Sequence, residues 1–127
     1  MALRDQKMMA FCATRDSARA RRFYAETLGL PVISDDPHAL ALDAGGTMLR
    51  VQKVEQFVPH PFTTLGWQVR DIVATVVRLR ERGIAFETFG GMEQDQYGIW
   101  LAPGGTRVAW FKDPDGNILS LTQFADE

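Results

Sequence analysis

Polar and apolar residues alternate along "KMMAFCATR", Lys7 to Arg15, which predicts a strand. Asp16 follows, and its carboxylate suits the first free N–H groups of a helix. "SARARRFYAETL" has helical composition, Gly29 supplies a left-handed stop, and Pro31 prevents the helix from resuming. The same grammar returns downstream. "TTLGWQVR", Thr63 to Arg70, reads as a strand, and Asp71 caps "IVATVVRLRER". That helix carries Ile72, Val76 and Leu79 on one face, with Val73 and Val77 beside them. Arg78, Arg80 and Arg82 fall in its last turns, where the helix dipole favours cations. Gly83 ends it, and "IAFETF" is expected to resume as a strand.

Aligned on Arg15-Asp16 and Arg70-Asp71, both halves read strand, capped helix, glycine, strand. Further strands follow in each half. "HALALDA" and "TMLRVQKV" flank Gly45-Gly46, while "YGIWLA" and "TRVAWFK" flank Pro103-Gly104-Gly105. "NILSLTQF" closes the chain. Helix is the minority and antiparallel hairpins dominate, so the fold class is α+β. The organisation expected is a single domain, 1–127, with module one over about 7–54, a linker over 55–62 and module two over about 63–124. The linker, "EQFVPHPF", holds two prolines. Strand equivalence between the halves has two solutions. One pairs "GGTMLRVQK" with "GGTRVAWFK". The preferred one pairs "TMLRVQKV" with "NILSLTQF" and leaves "YGIWLA" as an extra strand or edge hairpin.

Composition narrows the partners. Apolar content of 46% and charged content of 24% suit a soluble globular chain. A formal net charge of -2 and the lack of a basic stripe argue against nucleic acid, and no apolar run is long enough to span a membrane. Cys12 is the only cysteine, which excludes an internal disulfide, and no secretory leader is evident, so a cytoplasmic location is expected.

"FKDPDGNILSLTQF" places Asp113, Asp115 and Asn117 at alternate positions. A calcium loop of the EF-hand type needs glycine at its sixth position and an acid at its twelfth. Counted from Asp113, those positions do not match, because Gly116 is fourth and Phe124 twelfth. Pro114, Asp115 and Gly116 instead suit a hairpin turn, with the carboxylates expected to face solvent.

The two strand-helix-strand-strand-strand modules, "FYAETLGLPV" in the first and "DPDGN" before the last strand, resemble the vicinal oxygen chelate superfamily. That group includes glyoxalase I, extradiol dioxygenases, and fosfomycin- and bleomycin-resistance proteins. The resemblance implies two βαβββ modules, each curling a mixed sheet, with helices outside and a cleft between the sheets. It also implies a homodimer. The metalloenzymes of the group carry His, Glu or Gln at four positions that fall here on Met9, Arg50, Thr64 and Ser120. A thioether, two hydroxyls and a guanidinium are poor ligands for a divalent transition metal. The resemblance therefore supports the fold, and the donor chemistry argues for no metal and no cofactor.

Alternation then assigns faces, if Met9 points into the cleft. Met9, Phe11, Met48, Arg50 and Gln52 line it from the first module. Thr64, Gln68, Ile118, Ser120 and Thr122 line it from the second. Met8, Ala10, Cys12, Leu49, Val51, Leu65, Trp67, Val69, Leu119 and Leu121 face the helices. A mostly apolar lining with a few convergent polar groups suits a small organic molecule. Arg50 is the candidate anchor for a carboxylate, phosphate or enolate-like oxygen, with Gln52, Gln68 and Ser120 adding neutral hydrogen bonds. The competing role for Arg50 is internal neutralisation, or snorkelling to the cleft mouth.

Other candidates are weaker. His38 begins a strand and His60 lies in the linker, so both read as surface histidines. Glu93, Asp95 and Tyr97 sit in a candidate lid, and Cys12 reads as a buried, inert thiol. Trp100 and Trp110 are either pocket wall or core. The leading reading is a metal-independent binder of a small molecule. The alternatives are a metal-dependent lyase, isomerase or dioxygenase of the same group, and a dimeric interaction module that fills its own cleft. Neither the ligand nor any catalysed reaction is specified by these residues.

Overall fold

The computed structural model describes residues 2–125. The chain divides into two compact units, the first ending at Val58 and the second beginning at Pro59. In the first unit, β1 (Met9–Thr14) leads into α1 (Ser17–Arg21), followed by a π-helical segment (Arg22–Thr27), β2 (Val32–Asp35), β3 (Ala39–Ala44) and β4 (Thr47–Lys53). The second holds β5 (Thr63–Gln68), α2 (Ile72–Glu81), β6 (Trp100–Leu101), β7 (Arg107–Lys112) and β8 (Ile118–Gln123). Sheet one has the order β1-β4-β3-β2 and sheet two the order β5-β8-β7-β6. In each, the first and last strands pair in parallel and the others antiparallel. This is the expected mixed-sheet α+β architecture.

The caps form as the sequence predicts. Asp16 Oδ1 accepts from Arg19 N at 3.1 Å, and Asp71 Oδ1 accepts from Ala74 N at 3.0 Å. The first helix does not stay α-helical. Leu28 N donates to Phe23 O, a five-residue step, so the last turn of the predicted helix is widened. That turn carries Tyr24, which is fully buried with its hydroxyl 3.7 Å from Cys12 Sγ. Gly29 stops the segment at φ 77, a value reserved for glycine here.

Packing follows the period-2 alternation. In sheet one, Cys12, Leu40, Leu42, Leu49 and Val51 are buried on one face. In sheet two, Ala109, Phe111, Leu119 and Leu121 form the buried face, and α2 contributes Ile72, Val76 and Leu79. Gln123 Oε1 accepts from Ile72 N at 2.8 Å, which satisfies a free N–H at the start of α2 and ties it to β8.

The preferred strand equivalence is found, since β8 occupies in sheet two the place of β4 in sheet one. One detail differs from expectation. "IAFETF" forms no extended strand; Phe86 makes an isolated bridge to Phe111. Of the two roles open to "YGIWLA", the edge hairpin is the one found: Trp100 and Leu101 pair antiparallel with Val108 and Arg107 of β7, as the edge strand in the position of β2.

The "DPDGN" turn also differs. Asp113, Asp115 and Asn117 are buried, not solvated. Asp113 Oδ1 accepts from Asp115 N and Asn117 N, at 3.0 and 2.9 Å, and Oδ2 accepts from Asn117 Nδ2 at 2.8 Å. One carboxylate thus satisfies three donors that the tight corner would otherwise strand away from water.

A small ionic tie closes the first unit. Asp35 accepts from Lys53 and, at 2.7 Å, from Arg21. Those bonds, Lys53 first, hold its carboxyl below the usual range. A lowered folded value means stability is present above the unfolded carboxyl value and is lost as pH falls through the folded one. Because the group is solvent-exposed, the effect is small. The denaturant midpoint of the wild type is expected to fall more steeply below about pH 4 than that of Asp35→Asn. Parallel profiles for the two proteins would remove this tie from the stability of the fold.

Candidate functional site

The ten lining positions read from the sequence fall on two separate sheets, five on each. On sheet one, Met9 is in register with Met48, Phe11 with Arg50, and Ala13 with Gln52. These residues share the face opposite Cys12, Leu49 and Val51. Met9 and Phe11 stay exposed at 41% and 48%, Met48 and Arg50 are half-buried, and Gln52 is exposed. Across β3, Ala41 lies in register with Arg50 and Ala39 with Gln52, so the neighbours of the two polar side chains are small. On the other side of β4, Phe11 is in register with Arg50.

Arg50 has a charged neighbour in Asp36, whose carboxyl is held low mainly by backbone N–H bonds from His38 and Ala39, with a smaller contribution from Arg50. Oδ1 of Asp36 accepts from His38 N at 2.7 Å and Ala39 N at 3.0 Å, so that oxygen is already engaged. No direct ion pair of Arg50 occurs among the described residues.

On sheet two, Gly66 is in register with Ser120 and Gln68 with Thr122. Ile118 and Ser120 are buried, Thr122 is half-buried and Gln68 is exposed. The ladder slips between Thr63 and Leu65. Thr63, not Thr64, therefore takes the register position opposite Ile118, and Thr64 is the extra residue of a bulge. The Thr64 hydroxyl oxygen is buried without a hydrogen-bond partner among the described residues. Gly66 permits a close approach: a Cβ there would lie 2.7 Å from Ser120 Oγ.

Register also places the tryptophans. Trp110 is opposite Ser120, and Trp100 is opposite Val108, which is itself opposite Thr122. Both belong to the Ser120 face and not to the core. Their ring centroids are 6.2 Å apart, and Phe89 meets Trp110 edge-on at 5.5 Å. Trp110 Nε1 donates to Thr63 Oγ1 at 3.2 Å. Alternation alone missed Thr63 and Trp110 because their faces depend on the bulge and on the β7–β8 register. Trp67, in register with Leu121, lies on the opposite face as expected.

Neither histidine lies within a strand. His38 precedes β3 and is exposed, and His60 is exposed and stacks on Phe62 at 4.9 Å. The 93–97 segment is tied down. Gln94 Oε1 accepts from Phe89 N, its Nε2 donates to Glu87 O and Gly98 O, and Asp95 Oδ1 accepts from Tyr97 N and Ile99 N.

A model of the glyoxalase/bleomycin resistance protein/dioxygenase superfamily matches residues 9–121. The chain belongs to that superfamily. Solved structures agree on the fold. TnmS3, an antibiotic binding protein from Streptomyces sp. CB03234, is 28% identical with a TM-score of 0.70, covering 97% of this chain and 98% of its own. A glyoxalase family protein from Enterococcus faecalis is 26% identical with a TM-score of 0.69, covering 96% and 99%. Lactoylglutathione lyase from Agrobacterium tumefaciens is 17% identical with a TM-score of 0.68, covering 93% of each chain, and shows the fold alone. No curated protein matches the chain.

Superfamily metalloenzymes imply a divalent metal, and the residues here do not fit one. Met9, Arg50, Thr64 and Ser120 offer no carboxylate or imidazole, and Arg50 brings a fixed positive charge. No group of three or more His, Cys, Asp or Glu side chains among the described residues is arranged to hold an ion.

The buried Thr64 hydroxyl gives a direct test of the bulge. An unsatisfied hydroxyl costs roughly 1–3 kcal/mol, and valine has nearly its shape. Thr64→Val is expected to raise unfolding free energy by about 1 kcal/mol in denaturant titration. A loss of that size would mean the hydroxyl has a partner in solution.

Proposed function

We propose that this superfamily member binds a small organic molecule without a metal, as a homodimer, and that Arg50 anchors an anionic or oxygen-rich group of the ligand. The observation that carries the reading is the pairing of half-buried Arg50 with exposed Phe11 on one sheet face. A guanidinium sharing a sheet face with an exposed aromatic ring and two methionines offers both halves of an amphiphilic ligand's needs. Its fork donates to two oxygens, while Phe11, Met9 and Met48 supply adaptable apolar contact. Gln52, in register with Ala13 and Ala39, has room to add a neutral hydrogen bond. On sheet two, Gln68, Ser120 and Thr122 separately present hydrogen-bonding groups on the face that carries Trp110.

Two lines support binding over metal chemistry. The four positions of the family's metal ligands carry no suitable donor. TnmS3, which shares 28% identity over nearly the whole chain, is described as an antibiotic binding protein. Exposed Met8, Val58 and Phe62 are consistent with a further surface to cover in a dimer.

The anchor is testable with 8-anilinonaphthalene-1-sulfonate, which joins apolar rings to a fixed anion. The wild type is expected to bind it saturably. Arg50→Ala should weaken binding by about tenfold or more, as a lost charged hydrogen bond implies, with Arg50→Lys in between. Equal affinities in all three proteins, with unchanged folding by circular dichroism, would refute the anchor. Metal independence is checked on protein purified without an affinity tag. Elemental analysis is expected to find transition metals far below one per chain. A stoichiometric metal retained through dialysis would instead support a lyase, isomerase or dioxygenase.

A further inference from the structure

Sheet two carries a concavity at its β6 edge. A groove of about 520 Å³ lies between Val73 of α2, the loop at Glu93 to Asp95, and the β6–β7 hairpin, and Trp100, from the Ser120 face, also lines it. Register places the other hairpin residues. Leu101 is opposite Arg107, and Arg107 is opposite Gln123, whose side chain accepts from Ile72 N at the start of α2. Leu101 and Arg107 thus belong to the α2 side, the reverse of the side that carries Ser120 and Thr122.

The groove has three properties of a built site. Its loop wall is pre-organised, because the Gln94 amide makes three hydrogen bonds and Asp95 holds two backbone N–H groups. Arg80 pins the same loop to α2, donating to Gln96 O at 3.0 Å and lying 5.8 Å over the Tyr97 ring. Its floor is apolar: Val73 is half-buried, Ile99 buried, and Leu101 59% exposed despite its size. Its rim carries both signs of charge, Glu93 and Asp95 against Arg107. None of these three is in an ion pair among the described residues.

This combination selects one class of occupant. A simple anion meets two carboxylates, and a simple cation meets the guanidinium. A zwitterion with an apolar body uses every element, and the volume suits a molecule of modest size. We propose that this groove is a second binding site, for a small apolar zwitterion such as a hydrophobic dipeptide. Its carboxylate pairs with Arg107, its ammonium with Glu93 and Asp95, and its side chains cover Leu101, Ile99 and Val73. The site is independent of the Arg50 face.

Leucyl-phenylalanine titrated into the isotope-labelled full chain provides the test, read by nuclear magnetic resonance. Saturable shifts are expected for backbone amides of residues 93–107 and for the Trp100 indole. Arg107→Gln should weaken the dipeptide about tenfold, and amidating the dipeptide's carboxyl should weaken it as much in the wild type. Together the two changes should cost no more than either alone. Glu93→Gln should reproduce the effect of acetylating the ammonium. Shifts elsewhere, no saturation, or equal affinity for Arg107→Gln would overturn the proposal. So would groove shifts that follow protein concentration without ligand, since a second copy would then be the occupant. Sulfonate-dye binding measured on Arg107→Gln should be unchanged, which separates failure here from failure at Arg50.

Discussion

Parallel pairing of the first and last strand of each unit is the constraint on which the architecture rests. Strands that run the same way cannot be joined by a tight turn, so the chain must leave the sheet and come back. In the first unit that excursion contains α1 and its π-helical continuation, then β2 and β3. In the second it contains α2, a long connection, β6 and β7. Once β4 lies beside β1 in continuous register, the alternation of one strand fixes the face of the other. Cys12, Leu49 and Val51 claim the buried side, and Arg50 is left on the opposite one with Phe11.

What was legible in the sequence was local or periodic. Asp16 and Asp71 announce helix starts because a short carboxylate beside free N–H groups needs no distant partner. Ile72, Val76 and Leu79 announce a buried face because helical spacing repeats over several turns. The faces of β1, β4 and β8 followed for the same reason. What was hidden depended on pairing. "IAFETF" has strand composition, yet its contact with β7 is a lone bridge at Phe86. The bulge at Thr64 leaves no mark in composition, and it decides that Thr63 meets Trp110. The carboxylate of Asp113 was expected in water because turns usually are. Three donors from its own corner instead draw it inside.

The frame itself does not choose a chemistry. Proteins of similar structure include one described as antibiotic binding and another as a lactoylglutathione lyase. A shared scaffold of this kind is differentiated by a few side chains on its sheet faces. Under the binding function proposed above, those side chains are a guanidinium, thioethers, amides, hydroxyls and indoles, a set suited to recognition by shape, charge and hydrogen bonding.

Gly66 and Ser120 occupy what is in effect one volume divided between two strands. The glycine leaves room that a hydroxyl on the neighbouring strand already uses, with only 2.7 Å to any added carbon. Bulk is therefore a shared resource at this point: one position can grow only while the other stays small. Among descendants and cousins of this chain, a side chain at 66 should appear only where 120 has given up its hydroxyl. A larger side chain at 120 is open to evolution as long as 66 remains bare, and closes once 66 acquires a side chain of its own.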